Sequence, residues 1–302
     1  MTTMPLLRLS VLDQSPIGEG STPADALAAT AALARETDEL GYHRFWVAEH
    51  HATAGFAGTA PEVLAAILLE RTRHMRIGTG GVLLPRYDPG KVAEVFRVLA
   101  ALHPGRVDLG VGRAGGPARD FPLRVRGLLD GLAHEPDDPV PSPPVWLLGA
   151  GTRSARLAAE LGTNFAFAHF FHPDLGAAAF DGFGAADTRR RALAVRVIAA
   201  DTDAEASALA DAYLLWRSRK DLGHDEPLPS AATARRHRWT DEESARAAVN
   251  RKAVVFGGPD RVGARLSELA RAHGVDELIV NTLTHDPDDR LHSYRLLAKA
   301  LL

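Results

Sequence analysis

Cysteine is absent from the 302 residues, which excludes a disulfide, a thiolate nucleophile and any cysteine-ligated zinc. Lysine is nearly absent as well, 4 against 31 arginines, a compositional bias to which no function attaches. Neither charge sign is in excess: 35 basic and 38 acidic residues leave a formal net charge of −3, without a long single-sign run. Nucleic acid and anionic membranes, which call for a basic stripe, are therefore disfavoured as main partners. Nowhere do 18 apolar residues run unbroken, and the first ten carry only a short apolar patch before a polar turn. Neither a spanning helix nor a secretory leader is expected, and a soluble, cytoplasmic protein is. What is present is ordinary for a globular chain with a sizeable core: 46% hydrophobic and 24% charged residues.

Short β-branched runs alternate with alanine-rich stretches of helical period. Strands are expected at 7–12, 45–47, 75–84, 106–111, 145–148, 165–168, 192–199 and 277–280. Helices are expected over 23–40, 61–73, 89–102, 123–132, 152–161, 203–217, 259–273 and 287–302. The helix signals are specific: Thr22-Pro23 is an N-cap followed by proline at the first helical position, and Gly41 is a C-terminal stop. Residues 114–144 form a disturbed stretch, 173–191 a weak helix, and 220–238 a polar segment expected to be a mobile loop. Eight strands, nearly all followed by a helix, fit a single-domain α/β protein, a (β/α)8 TIM barrel, with the disturbed stretch as an insertion after strand 4. In such a barrel the chemistry belongs to the residues just after each strand.

After the second strand stands Glu49-His50-His51. Adjacent strand residues point to opposite faces, so the two histidines do not chelate one ion easily, and no metal is expected. One is a structural histidine; His50 is the candidate proton carrier. Gly78-Thr79-Gly80-Gly81 reads equally as a bulged strand and as bare backbone against a flat ligand. Gly110-Val111-Gly112-Arg113-Ala114-Gly115 matches G-x-G-x-x-G, but Gly116-Pro117 follows at once and three strand–helix units precede it, against a Rossmann site. Arg113 is better read as a phosphate partner, with a surface salt bridge as the alternative. Gly149-Ala150-Gly151-Thr152-Arg153-Ser154 leads into a helix and suits an anion on its N-terminal amides, whether or not Thr152 caps it. His169-Phe170-Phe171-His172 places an imidazole and aromatics at a strand mouth, as ligand contacts or as core packing.

Taken together these motifs resemble the bacterial luciferase-like monooxygenases, a family of flavin enzymes. The match is carried by Leu12-Asp13-Gln14-Ser15-Pro16, by Gly41-Tyr42-His43-Arg44-Phe45-Trp46-Val47-Ala48-Glu49-His50-His51, by Ala60-Pro61-Glu62-Val63-Leu64 and by residues 78–85. It continues through residues 102–113, Trp146-Leu147-Leu148-Gly149, Ala199-Ala200-Asp201-Thr202-Asp203 and Gly257-Gly258-Pro259. The resemblance implies an FMN-binding TIM barrel with the phosphate held by Gly151, Thr152, Ser154 and Arg113. It implies a cis peptide at Gly80-Gly81 lying against the flavin ring, a ring contact from His169, and proton handling by His50. It further implies that reduced FMN from a separate flavin reductase activates oxygen for insertion into a small organic substrate, and that the chain is a homodimer. A non-catalytic flavin-binding barrel and an F420-dependent hydride-transfer enzyme are the alternatives. Residues 114–144 look shorter than in relatives, which bears on the substrate.

Overall fold

The computed structural model describes residues 7–113, 116, 119–133, 141–184 and 190–302. Its first half runs β1 (Arg8–Asp13), α1 (Pro23–Glu39), β2 (Arg44–Val47), α2 (Pro61–Arg71), β3 (Arg76–Thr79), β4 (Val82–Leu83), α3 (Pro89–Leu102) and β5 (Val107–Gly112). It continues with α4 (Phe121–Leu132), β6 (Val145–Gly149), α5 (Thr152–Leu161), β7 (Asn164–Ala168), α6 (Gly176–Phe183) and β8 (Arg191–Ala199). The last part is α7 (Asp203–Asp221), α8 (Ala231–Arg236), α9 (Asp241–Arg251), β9 (Val254–Gly257), α10 (Pro259–His273), β10 (Glu277–Asn281) and α11 (Pro287–Leu301).

All strand pairings are parallel, and β10 bonds both to β1 and to β8, so the sheet closes. β3 and β4 are two pieces of one strand, both leaning on β5, and β9 extends the far half of β8. Eight positions around a closed barrel remain, each feeding a helix: the (β/α)8 barrel. Alternation divides every strand. On β2, Phe45 and Val47 enter the apolar layer shared with the helices, while Trp46 and Ala48 join a smaller cluster inside the barrel.

Local chemistry accounts for the helix bounds. Thr22 caps α1 in a reciprocal capping box with Asp25, proline opens α1, α2, α3, α10 and α11, and Gly162 and Gly274 end α5 and α10 in the left-handed conformation. Two features depart from the sequence expectation. α9 and β9 are additional elements; Thr240-x-x-Glu243 is a capping box that marks α9 in the sequence. The segment 220–238 is no free loop. Its Asp225 accepts from the Thr53 hydroxyl and the Ala54 amide at 2.6 and 2.7 Å, Leu228 bonds Ile17 and Glu19, and Ser230 caps α8. These long-range bonds replace the flexibility that polarity suggests. The insertion after the fourth barrel strand lies partly outside the described residues; its described part holds α4.

Candidate active site

The barrel interior is layered. At its N-terminal end, Arg44 contacts Glu277 and Asp108, each at 2.5 Å, and Arg76 reaches Asp108 at 2.7 Å. Ser10 donates to Glu277 and the Trp46 indole to Asp108. Arg44, Asp108 and Glu277 are at most 1% exposed, and two cations face two carboxylates. Above this floor Trp46 and Trp146 meet edge to face at 5.1 Å, with the Arg44 guanidinium 4.8 Å from the Trp146 ring.

On the tryptophans stands a cavity of about 310 Å³ that opens at the C-terminal ends of the strands. Gly80, Gly81, Gly112 and Gly149 form much of its wall, with Leu12, Leu148 and Ala168. The Gly80–Gly81 peptide is cis. Side chains are sterically excluded there: a Cβ on Gly81 would lie 2.6 Å from the Gly110 carbonyl oxygen, and one on Gly149 2.2 Å from the Ser154 Cβ.

His50 lines the cavity from the segment just past the end of β2, whose Trp46 lines it lower down. Its amide donates to the Gly58 carbonyl at 2.8 Å and its ring packs 4.3 Å from Phe56. Nε2 lies 3.2 Å from the Gln14 amide, and Nδ1 has no partner among the described residues. Burial, reinforced by Lys220, Arg196 and His51, pulls its pKa down to about 4. Gln14 is presented by a pinned turn, in which Asp13 accepts from the Ser15 amide and the Thr30 hydroxyl and pairs with Arg290 at 3.1 Å. His51 turns instead to Glu49, at 2.5 Å. Glu49, 3% exposed, also accepts from Tyr87 and from the Leu83 amide, so it holds the chain just after the cis peptide. The sequence reading missed that role; the signal available was an acid at the strand mouth.

The opposite wall brings together Arg113, Ala150 and Ser154. Gly151 is the N-cap of α5, extended and without a side-chain bond to the first turn. Thr22, Asp88, Thr202, Ser230, Thr240 and Asp286 cap the starts of α1, α3, α7, α8, α9 and α11, whereas α2, α4, α6 and α10 share with α5 the lack of a side-chain cap. Thr152 is the first helical residue rather than the cap, and the cavity wall takes Gly149, Ala150 and Ser154 but neither Gly151 nor Thr152. The first amides of α5 are thus left for another acceptor beside the cavity. Arg113 is exposed, with Nη1 donating to the Gly116 carbonyl at 2.6 Å in its own turn.

His169 is a correction. On β7, Ala166 and Ala168 line the cavity while Phe165 and Phe167 pack outward, and His169 continues the outward set. Its ring meets His273 edge-on at 5.7 Å. Phe170 and Phe171 supply the aromatic wall instead. Burial, then the neighbouring His273, lowers the His169 pKa to about 4.

An acid-sensitive fold follows. Free histidines titrate near 6.5, so between about pH 6.5 and 4 the unfolded chain binds protons that His50 and His169 refuse in the fold. Stability present above pH 6.5 is lost as pH falls through that window, by up to about 1.4 kcal/mol per pH unit for each histidine. Urea unfolding at several pH values measures the slope. His169→Gln is expected to remove about one proton's worth of it, and an unchanged slope would refute the assignment.

The closed barrel and the cavity at its C-terminal rim define the class: a (β/α)8 barrel of the kind whose chemistry lies at that rim. The chain belongs to the luciferase-like monooxygenase family, whose model matches residues 7–130 and 120–277. It is 35% identical to an N-acetyl-S-alkylcysteine monooxygenase of Bacillus subtilis, across 98% of this chain and 99% of the relative. The crystal structure of apo-MsnO8 superposes with a TM-score of 0.89 at 39% identity, covering 98% and 99% of the two chains. The oxygenating constituent of 3,6-diketocamphane monooxygenase of Pseudomonas putida, in complex with FMN, shares the fold at 19% identity and a TM-score of 0.72, over 98% and 97% of the chains.

Proposed function

We propose that this chain is an FMN-dependent monooxygenase that inserts oxygen into a small organic substrate, with reduced FMN supplied by a separate reductase. The observation that carries the reading is the convergence on one cavity of a glycine wall, the imidazole of His50 and an uncapped helix N-terminus flanked by Arg113 and Ser154. The donor set fits a flavin mononucleotide. Gly80 and Gly81 leave bare backbone for a flat ring, and among the described residues no side chain caps the start of α5 at Gly151, Thr152 and Ser154, where a phosphate dianion is favoured. Reduced FMN held there supplies the electrons and the reaction with dioxygen. The residues of the chain bind and orient it, the tryptophan layer and Leu148 keep water from below, and His50 Nε2 holds or accepts one proton, the ring being neutral at pH 7.

The same reading makes the chain a cytoplasmic homodimer. Val63, Ile67, Val98 and Leu102 stand exposed on α2 and α3, while Leu64 and Leu68 are buried in the core. Four apolar side chains on neighbouring helices suit a second copy of the same face.

FMN titration followed by flavin fluorescence tests the reading. Saturable one-to-one binding is expected, weakened about 10–100-fold in Arg113→Ala by loss of a charge-assisted phosphate contact. Failure of the wild type to take FMN, or preference for F420, overturns it.

A further inference from the structure

The barrel holds one buried charge that its ionic floor does not balance. Arg196 is 4% exposed, and among the described residues no carboxylate pairs with it; its Nε and Nη1 have no hydrogen-bond partner. The guanidinium lies between the rings of Phe170 and Tyr213, 5.0 and 4.9 Å from their centroids. Phe170 lines the cavity on one side and carries Arg196 on the other. Arg196 also follows Ala194, a cavity-wall residue, by two positions on the same face of β8. Across the ladder it stands opposite Asn281, whose Oδ1, like Gln14 Oε1 and His50 Nδ1, has no partner among the described residues.

Neighbouring cations are compensated where Arg196 is not. Arg217 meets Asp221 at 2.5 Å and Lys220 meets Asp225 at 3.0 Å. A buried unpaired cation is costly, and stacking on two aromatic faces offsets only part of the cost. Stacking also covers the faces of the guanidinium and leaves its edges, where the N–H donors project, for an acceptor lying in the plane.

We propose that Arg196 is a specificity-determining residue that receives the carboxylate of the substrate, so that the enzyme acts on a small carboxylic acid with an apolar body. The anionic end sits beside Phe170 and Tyr213, and the reacting part extends into the cavity near His50. A single flat monoanion suits a guanidinium stacked on two rings, whereas the open start of α5 suits a phosphate. The proposal rests on the monooxygenase reading for its chemistry, though the binding itself does not.

The test is calorimetry on the full chain, with and without FMN, using hexanoate and its uncharged isostere hexanamide. Hexanoate is expected to bind at least tenfold tighter than hexanamide. Arg196→Met should abolish that difference while leaving hexanamide affinity and FMN affinity unchanged, and Arg196→Lys should retain part of it. A second readout needs no variant: hexanoate neutralises the charge beside His50, so the His50 titration followed by NMR moves up in pH. Equal binding of both probes, binding of neither, an unaltered Arg196→Met or an unmoved His50 overturns the proposal and leaves Arg196 a stacked structural residue. Discrimination between the probes in a chain that refuses FMN would sink the flavin reading and keep the carboxylate subsite.

Discussion

Asp108→Asn is expected to lower the free energy of unfolding by about 3–5 kcal/mol, as removal of one partner of a buried ion pair does. Asp108 is fully buried and serves Arg44 at 2.5 Å, Arg76 at 2.7 Å and the Trp46 indole at 3.2 Å. Asparagine keeps the shape but deletes the charge and puts an NH2 group, facing N–H donors, in place of one of the two acceptor oxygens. Glu277 is then left to balance two guanidinium groups, one of them 1% exposed. Arg44 has no access to solvent to relieve the repulsion, for Trp46 and Trp146 cover it from above. Arg265→Ala, which removes an exposed pair with Glu268, is the control and should cost less than about 1 kcal/mol. Urea denaturation of the three chains at pH 7 reads the difference. Similar midpoints for Asp108→Asn and the control would show that the floor is not a structural ion network.

His50→Ala is expected to reduce turnover of any accepted substrate by about 10²–10⁴-fold, the usual span for a positioned proton carrier. FMN affinity should stay within twofold, since Arg113, Ser154 and the start of α5 lie on the opposite wall. Oxygen consumption should persist and divert to hydrogen peroxide, because the void left by the ring admits water beside Gln14 and Phe56. The acid limb of the wild-type pH–rate profile belongs near pH 4 rather than 6.5, for burial and the Lys220 and Arg196 charges hold the ring neutral. Oxygen uptake, peroxide release and substrate turnover measured together separate the outcomes. Unaltered turnover with unaltered coupling removes His50 from the chemistry.

Much of the site was legible for a simple reason: the residues after the barrel strands cluster by topology, so His50, Gly80, Gly81, Arg113 and Ser154 could be placed at one rim before any distance was known. His169 was misplaced although the same alternation that points Ala168 inward points it out. Arg196 went unremarked, because an arginine in an alternating strand looks like any solvated charge until its neighbours are known.

Capping residues, prolines and the period of the apolar positions act within a few residues of themselves, so α3, α5 and α10 were readable end to end from their own chemistry. The ionic floor was not. Arg44 meets Asp108 64 positions away and Glu277 233 positions away, and only closure of the sheet brings them within hydrogen-bonding distance. Whether a charge is paired or stranded in a low-dielectric interior is a property of that closure, and it separates the structural Arg44 from the unpaired Arg196.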